Sequence, residues 1–269
     1  MSKKWFAICA AAAAVTLAAG SALAQPVCPA PGSDYDNDGF DDALECAGIP
    51  LASGTSVLTS AGTARDVFVI VALPSNSLIQ QIFGATPFNP FNKASYSGSG
   101  ISVSFDGLTS LAVSVHMLSD ADIAAGVDRI VDASGVSPQK AIRIAESTDI
   151  NGTILGNCQW GTPDGLDGCV VYSQRIKNFI DTTCPGNTDA ERALMFQAYV
   201  TESFLHEVGH TMGGLAPTYN SRTGGYHYKS GSGFVMEQSV SYSNKNGKCT
   251  WYISSAWNPS YDPPSVRLK

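Results

Sequence analysis

Two histidines that flank a glutamate are the residues best suited to chemistry in this chain, in the segment His206-Glu207-Val208-Gly209-His210. Residues four apart lie on one face of a helix, so His206 and His210 can reach the same metal ion. Glu207 lies beside them, where a carboxylate can accept a proton from a metal-activated water. The chain has only four histidines, and two at this spacing around a glutamate predict a zinc site.

The third zinc ligand has to come from outside this segment, because a catalytic zinc takes three protein ligands and keeps one position open. His227 follows the segment closely, and a loop can return it to the metal. His116 lies far upstream on a predicted strand, where a structural role is expected. We therefore expect His227 to be the third ligand. Glu237 is the candidate if the site instead follows the zinc peptidases that use a glutamate.

The segment resembles the metzincin clan of zinc peptidases, whose motif H-E-x-x-H-x-x-G-x-x-H precedes a turn that contains methionine. Four residues match the first part of this motif: His206, Glu207, His210 and Gly213. Ala216 occupies the place of the usual third histidine, so His227 would follow an insertion, as in leishmanolysin-like metzincins. Met236 lies where the Met-turn is expected. The resemblance covers about residues 195–240.

This resemblance implies a secreted zinc endopeptidase of α+β fold. A twisted mixed sheet would pack on the active-site helix, followed by an irregular C-terminal subdomain, and a substrate peptide would bind as an added strand. Transition states also need a hydrogen-bond donor. Tyr226, Tyr228 and Tyr242 are candidates, and the metzincin pattern favours Tyr242, although packing alone would explain each of them.

An acidic segment near the N terminus has the spacing of an EF-hand calcium loop. The six ligand positions of such a loop are occupied here by Asp34, Asp36, Asp38, Phe40 through its carbonyl, Asp42 and Glu45. Gly39 permits the sharp turn at the sixth position. Hard oxygen ligands suit calcium and not zinc, whereas a solvated acidic linker is the alternative. The stretch resembles thrombospondin type 3 and dockerin-like loops, which implies a structural calcium ion.

The first residues predict export. Lys3 and Lys4 precede an apolar run, and Ala22-Leu23-Ala24 matches a cleavage site, so residues 1–24 are interpreted as a signal peptide. The calcium-loop unit is assigned to residues 25–50, a connector to 51–65 and the zinc peptidase domain to 66–269. Whether residues 25–65 are a removable pro-segment stays open.

Six cysteines follow the signal peptide and predict three disulfides, as in exported proteins. The local pairing is Cys28–Cys46, Cys158–Cys169 and Cys184–Cys249. An inhibitory thiolate on the zinc, from Cys28 or Cys46, would leave another cysteine without a partner.

Without residues 1–24 the chain has 14 basic and 23 acidic residues and a formal charge of −9. This charge excludes nucleic acid and anionic membranes as partners, and we expect a monomer that acts on proteins or peptides.

Hydrophobic periodicity predicts the elements that position these residues. Strands are expected at residues 66–73, 101–105, 111–117, 141–145 and 169–173, and helices at 75–83, 121–131 and 190–212. Loops are expected at 84–100 and 151–168, and irregular structure after residue 215.

Two functions remain as alternatives to a zinc endopeptidase. One is a calcium-dependent adhesion module with a relic zinc site, against which the intact Glu207 argues. The other is a zinc hydrolase of non-peptide amides.

Overall fold

The chain is built on a mixed sheet and four helices, as seen in a computed structural model that describes residues 28–36, 38–51, 54, 56–57, 59, 64–84, 88–108, 111–118, 142–159, 168–211, 219–220, 225–228, 232, 234–237 and 240–258. The helices are α1 Asp42–Ala47, α2 Leu78–Phe83, α3 Ser173–Thr183 and α4 Asp189–Thr211. Among them, none combines the length and apolar character needed to cross a membrane.

Five strands form the main sheet: β3 Arg65–Ala72, β6 Val113–Met117, β7 Ile142–Ser147, β8 Gly156–Gln159 and β9 Gly168–Tyr172. Their spatial order is β6-β3-β7-β9-β8. The first four are parallel, and β8 pairs antiparallel to β9 at the edge of the sheet. The expectation of a mixed sheet packed with helices is confirmed at this level.

Smaller two-stranded sheets surround the main one: β1 Ile49–Pro50 with β2 Ser56–Val57, β4 Ala94–Gly98 with β5 Ile101–Phe105, β10 Tyr219–Asn220 with β11 Gly225–Tyr226, and β12 Ser241–Lys245 with β13 Lys248–Tyr252. The β4–β5 hairpin packs on α4, where the hydroxyls of Tyr96 and Thr201 lie 2.8 Å apart.

Strand β3 is buried on both faces, and its side chains point alternately into two separate hydrophobic cores. Val67 and Val69 face the large core that contains α4. Phe68 and Ile70 face the smaller core, where they pack with Phe40 and other residues of the N-terminal unit, which comprises residues 28–51. The N-terminal unit and the zinc-motif helix therefore lie on opposite faces of the same strand.

Helix α4 carries the zinc motif, and a capping box fixes its beginning. The amide of Glu191 donates to Thr188 Oγ1 over 3.2 Å, and the amide of Thr188 donates to Glu191 Oε2 over 2.8 Å. The helix is buried along most of its length, including Phe196, Phe204 and Val208. Packing on several sides holds the C-terminal turns of α4 in place.

Three disulfides have the pairing that the sequence favoured: Cys28–Cys46, Cys158–Cys169 and Cys184–Cys249. The first closes the N-terminal unit. The second joins directly opposite residues of β8 and β9. The third ties the end of α3 to β13. With Cys28 and Cys46 bonded to each other, neither is a thiolate ligand for zinc.

Three sequence expectations were wrong. Residues 84–100 contain β4, and residues 151–168 contain β8, because pairing with a neighbouring strand stabilises polar segments that their composition assigns to loops. The region after residue 215 is not wholly irregular, since β12 and β13 form a hairpin. Its turn, Asn246-Gly247, has positive φ at both residues, which is the type I′ turn signal for a hairpin. The helix expected at 121–131 lies outside the described residues.

Candidate metal centre

Three histidines converge at the C-terminal end of α4. The Nε2 atoms of His206 and His210 lie 3.1 Å apart, and one ring nitrogen from each of His206, His210 and His227 lies within 4.8 Å of the others. The ring centroids are separated by 4.8 to 5.1 Å. The structure thus brings His227 to the pair on the helix.

The distance between these nitrogens is close to that expected for two ligands of one zinc ion. Zinc–nitrogen bonds of about 2.0–2.1 Å at tetrahedral angles place two ligand nitrogens about 3.3 Å apart. The Nδ1 of His206 lies 2.9 Å from the carbonyl oxygen of Val235. Because a carbonyl only accepts, Nδ1 carries the proton and Nε2 keeps the lone pair that a metal needs.

Burial keeps the imidazoles of His206 and His210 neutral. Burial, with a contribution from His227, lowers the pKa of His206 to about 4. Burial and the other two histidines also hold the pKa of His210 well below its usual range. Neutral imidazole is the form that binds metal. The three histidines therefore fit the ligand set of a single zinc ion.

The turn that contains Met236 lies beneath this helix. Met236 is fully buried, and its backbone carbonyl accepts a hydrogen bond from the amide of Tyr228 over 2.7 Å. The Glu237 amide donates to the Phe234 carbonyl over 3.0 Å, which closes the turn. Met236 therefore packs directly against the helix that carries His206 and His210.

Gly209 allows α4 to approach this turn. A Cβ at residue 209 would lie 2.2 Å from Met236 Sδ and 3.2 Å from Trp257 Cζ3. Trp257 is itself fixed, since its indole N–H donates to the Gly107 carbonyl over 2.8 Å. Sequence reasoning missed this role, although a glycine inside a helical motif was an available signal.

Gly209→Ala should destabilise the protein by about 1–3 kcal/mol, because the cost of overpacking exceeds the helix propensity that alanine adds. Thermal unfolding of the zinc-loaded protein measures the loss. Gly168→Ala is the matched control, since its added Cβ meets only a carbonyl oxygen at 3.9 Å. An unchanged melting temperature for Gly209→Ala would contradict the close packing of α4 on the Met236 turn.

Glu207 is buried against the edge of the sheet. Only 5% of its surface is exposed, and burial raises the pKa of its carboxyl to about 8. A Cβ on Gly156 of β8 would lie 2.0 Å from its Oε1. The Sγ of Cys158 lies 2.8 Å from its Oε2. This sulfur is bonded to Cys169, so it has no proton to donate, and the contact fixes the position of the carboxylate.

A second buried glutamate lies behind His206. Glu202 is one turn earlier on α4, and its Oε1 lies 3.9 Å from His206 Nδ1. Burial, followed by the charges of Glu207 and Glu237, raises the pKa of Glu202 well above its usual range. Sequence reasoning did not single out Glu202.

The other residues proposed for the zinc site have described contacts with side chains other than the three histidines. The Tyr242 ring packs on Phe179 and Trp251, and none of its described contacts involves the three histidines. Tyr228 is buried with its ring 5.0 Å from that of Phe234. Glu237 accepts a hydrogen bond from Ser232 Oγ over 3.0 Å.

His116 contacts Asp66 on the opposite side of the sheet, with its Nε2 2.5 Å from Asp66 Oδ1. It is therefore not part of the histidine cluster. Gly213 and Ala216 lie outside the described residues, as does the side chain of Tyr226.

Three carboxylates of the acidic loop lie close together at its beginning. The Asp34 carboxylate accepts hydrogen bonds from the amides of Asp38 and Gly39, over 3.2 and 3.1 Å. Gly39 adopts a φ of 96°, which favours glycine. Carboxylate oxygens of Asp34, Asp36 and Asp38 lie within 4.8 Å of one another. The Phe40 ring is fully buried in the small core.

The two remaining acidic positions of the loop, Asp42 and Glu45, are fully buried at the beginning and in the middle of α1. Burial raises the pKa of Asp36 to about 6 and that of Asp38 to about 7. It also raises the pKa of Glu45 to about 9, with a contribution from the Asp66 carboxyl. These carboxylates are therefore crowded and poorly solvated when no cation balances them.

Comparisons of the chain with protein-family models, curated proteins and solved structures found no match.

Proposed function

We propose that this chain is a zinc-dependent endopeptidase of metzincin type, exported and stabilised by disulfides. The observation that carries the proposal is the convergence of His206, His210 and His227 beside a buried Glu207. A helical H-E-x-x-H segment with a third ligand from a later loop is the arrangement of zinc peptidases. The buried Met236 turn and the mixed sheet packed on α4 support the metzincin assignment.

The three histidines would hold the zinc. A zinc ion held in this way supplies a Lewis acid that polarises a carbonyl and lowers the pKa of a water molecule. Glu207 is the one carboxylate of the motif, and it lies buried beside the histidines, where a carboxylate can act as a general base and accept a proton. The same Glu207 oxygen can then deliver this proton to the leaving amine.

Strand β8 supports a role in peptide binding. It forms the edge of the main sheet, and its Gly156 touches the Glu207 carboxylate. An extended peptide added along this edge would pass next to Glu207 and the histidines. This geometry favours a peptide substrate over a small amide, for which no sheet edge is needed.

Metal removal tests the proposal. The purified protein should contain one zinc per chain and cleave casein, and 1,10-phenanthroline should abolish cleavage because it strips the metal from the histidines. Added zinc should restore cleavage after the chelator is dialysed away. Zinc content is measured by mass spectrometry and cleavage by release of peptides.

The non-chelating isomer 1,7-phenanthroline is the control and should leave the rate unchanged. Zinc-loaded protein that cleaves neither casein nor a peptide library would overturn the proposal and favour an adhesion module with a relic site. Hydrolysis of small amides without hydrolysis of peptides would favour the third alternative.

A further inference from the structure

Asp66, which the EF-hand pattern does not include, faces the acidic loop from the main sheet. It lies at the beginning of β3, and its even position places it on the same face as Phe68 and Ile70. Its side chain is fully buried. Its amide donates to Asp38 Oδ2 over 2.6 Å, so the sheet and the loop are in direct contact here.

Three carboxylates meet at this contact. Oxygens of Asp38, Glu45 and Asp66 lie within 4.8 Å of one another, and the three residues are at most 2% exposed. Calcium–oxygen distances of about 2.3–2.6 Å give a coordination sphere about 4.6–5.2 Å across. The three oxygens can therefore bind one calcium ion at the same time.

In Glu45 and Asp66, one carboxylate oxygen has a hydrogen-bond partner and the other has none in the part of the chain that the structure describes. Thr59 Oγ1 donates to Glu45 Oε1 over 3.2 Å, and His116 Nε2 lies 2.5 Å from Asp66 Oδ1. Within the described residues, Glu45 Oε2 and Asp66 Oδ2 are buried and accept no hydrogen bond, and the same is true of Asp42 Oδ2. Buried polar atoms of this kind are costly unless a cation binds them.

We propose that Asp38, Glu45 and Asp66 hold a calcium ion at the junction of the N-terminal unit and the main sheet. Three carboxylates supply the hard oxygen ligands that calcium prefers, and no nitrogen or sulfur ligand is needed. The ion joins two segments that no disulfide connects, since Cys28–Cys46 lies within the N-terminal unit. Its role is separate from the proposed zinc-dependent peptide hydrolysis, because the three histidines lie on the other face of the main sheet.

This junction implies that calcium keeps residues 28–51 docked on β3. The docking surface is the small core of Phe40, Ile49, Leu51, Phe68, Ile70 and Leu118. Without the ion, the buried carboxylates repel one another and oppose this packing. Calcium should therefore raise the stability of the whole chain and protect the connector from proteases.

Asp66→Asn tests the proposal in protein that is stripped of metal by chelating resin and then reloaded with zinc alone. For the wild type, calcium should raise the melting temperature, and an equal concentration of magnesium should have a much smaller effect. For Asp66→Asn, the calcium affinity measured by calorimetry should fall roughly ten-fold or more, because one charged ligand is lost. Asp106→Asn, a surface change, should titrate as the wild type does.

The sign of the stability change separates a ligand from a purely structural residue. Without calcium, Asp66→Asn should unfold at the same temperature as the wild type or higher, because it removes one buried negative charge while its amide oxygen can still accept a hydrogen bond from His116 Nε2. With calcium the order should reverse. Glu45→Gln should show the same reversal and provides a second variant of the same group.

Equal destabilisation of both variants with and without calcium would overturn the proposal. So would a wild type that binds no calcium, or an Asp66→Asn variant with wild-type affinity. These measurements do not involve peptide cleavage, so they stand or fall independently of the zinc peptidase proposal.

Discussion

Glu207→Gln should lower kcat/KM for peptide hydrolysis by roughly 10²–10⁴-fold, the contribution typical of a general acid–base residue, while one zinc remains bound per chain. The amide retains the shape of the carboxyl but has no basic oxygen to accept a proton. A larger replacement would be unsuitable, because a Cβ on Gly156 would already lie 2.0 Å from Glu207 Oε1. Glutamine thus tests the chemistry and preserves the packing.

The control for this variant is Asp189→Asn on the same helix. The Asp189 side chain is 97% exposed, and its replacement should change neither the zinc content nor the rate. Circular dichroism and melting temperature should show that Glu207→Gln is folded. A zinc-loaded Glu207→Gln protein with the wild-type rate would remove Glu207 from the mechanism and would require another base.

Alternation and motif spacing were sufficient to predict the parts of the fold that depend on local sequence. The buried run of β3 and the long helix that carries His206 and His210 follow from apolar periodicity and a cap. Strand β8 could not be found in this way, because its Gly, Asn and Cys residues form a strand through pairing with β9. The Asn246-Gly247 turn was a readable signal that went unused.

The two candidate metal sites also show what local sequence alone cannot reveal. The pattern of the acidic loop is local, and it identifies Asp38 and Glu45. Asp66 was missed because its relation to the loop depends on which face of β3 packs against the N-terminal unit. Likewise, sequence spacing ranked His227 above His116, but the contacts that bring His227 to the helix arise only from tertiary packing.

His227→Ala is the decisive test of the third ligand, and it should weaken zinc binding by more than about 100-fold, since even outer-shell partners account for about 10–100-fold. Cleavage at limiting free zinc should then fall to background. Zinc affinity is measured by competition with a chromogenic chelator. His116→Asn is the control, and it should keep the wild-type zinc content because His116 faces Asp66.

The alternative ligand is tested beside it by Glu237→Gln, which should retain zinc. A tightly bound zinc in His227→Ala, together with its loss in Glu237→Gln, would replace the histidine site with one that uses a glutamate.

The contacts of the Met236 turn favour His227 as the third ligand. The Val235 carbonyl of this turn accepts from His206 Nδ1 over 2.9 Å, and its Met236 carbonyl accepts from the Tyr228 amide over 2.7 Å. One turn thus orients a ligand on the helix and anchors the backbone next to His227, so a change in this turn should disturb both ligands together.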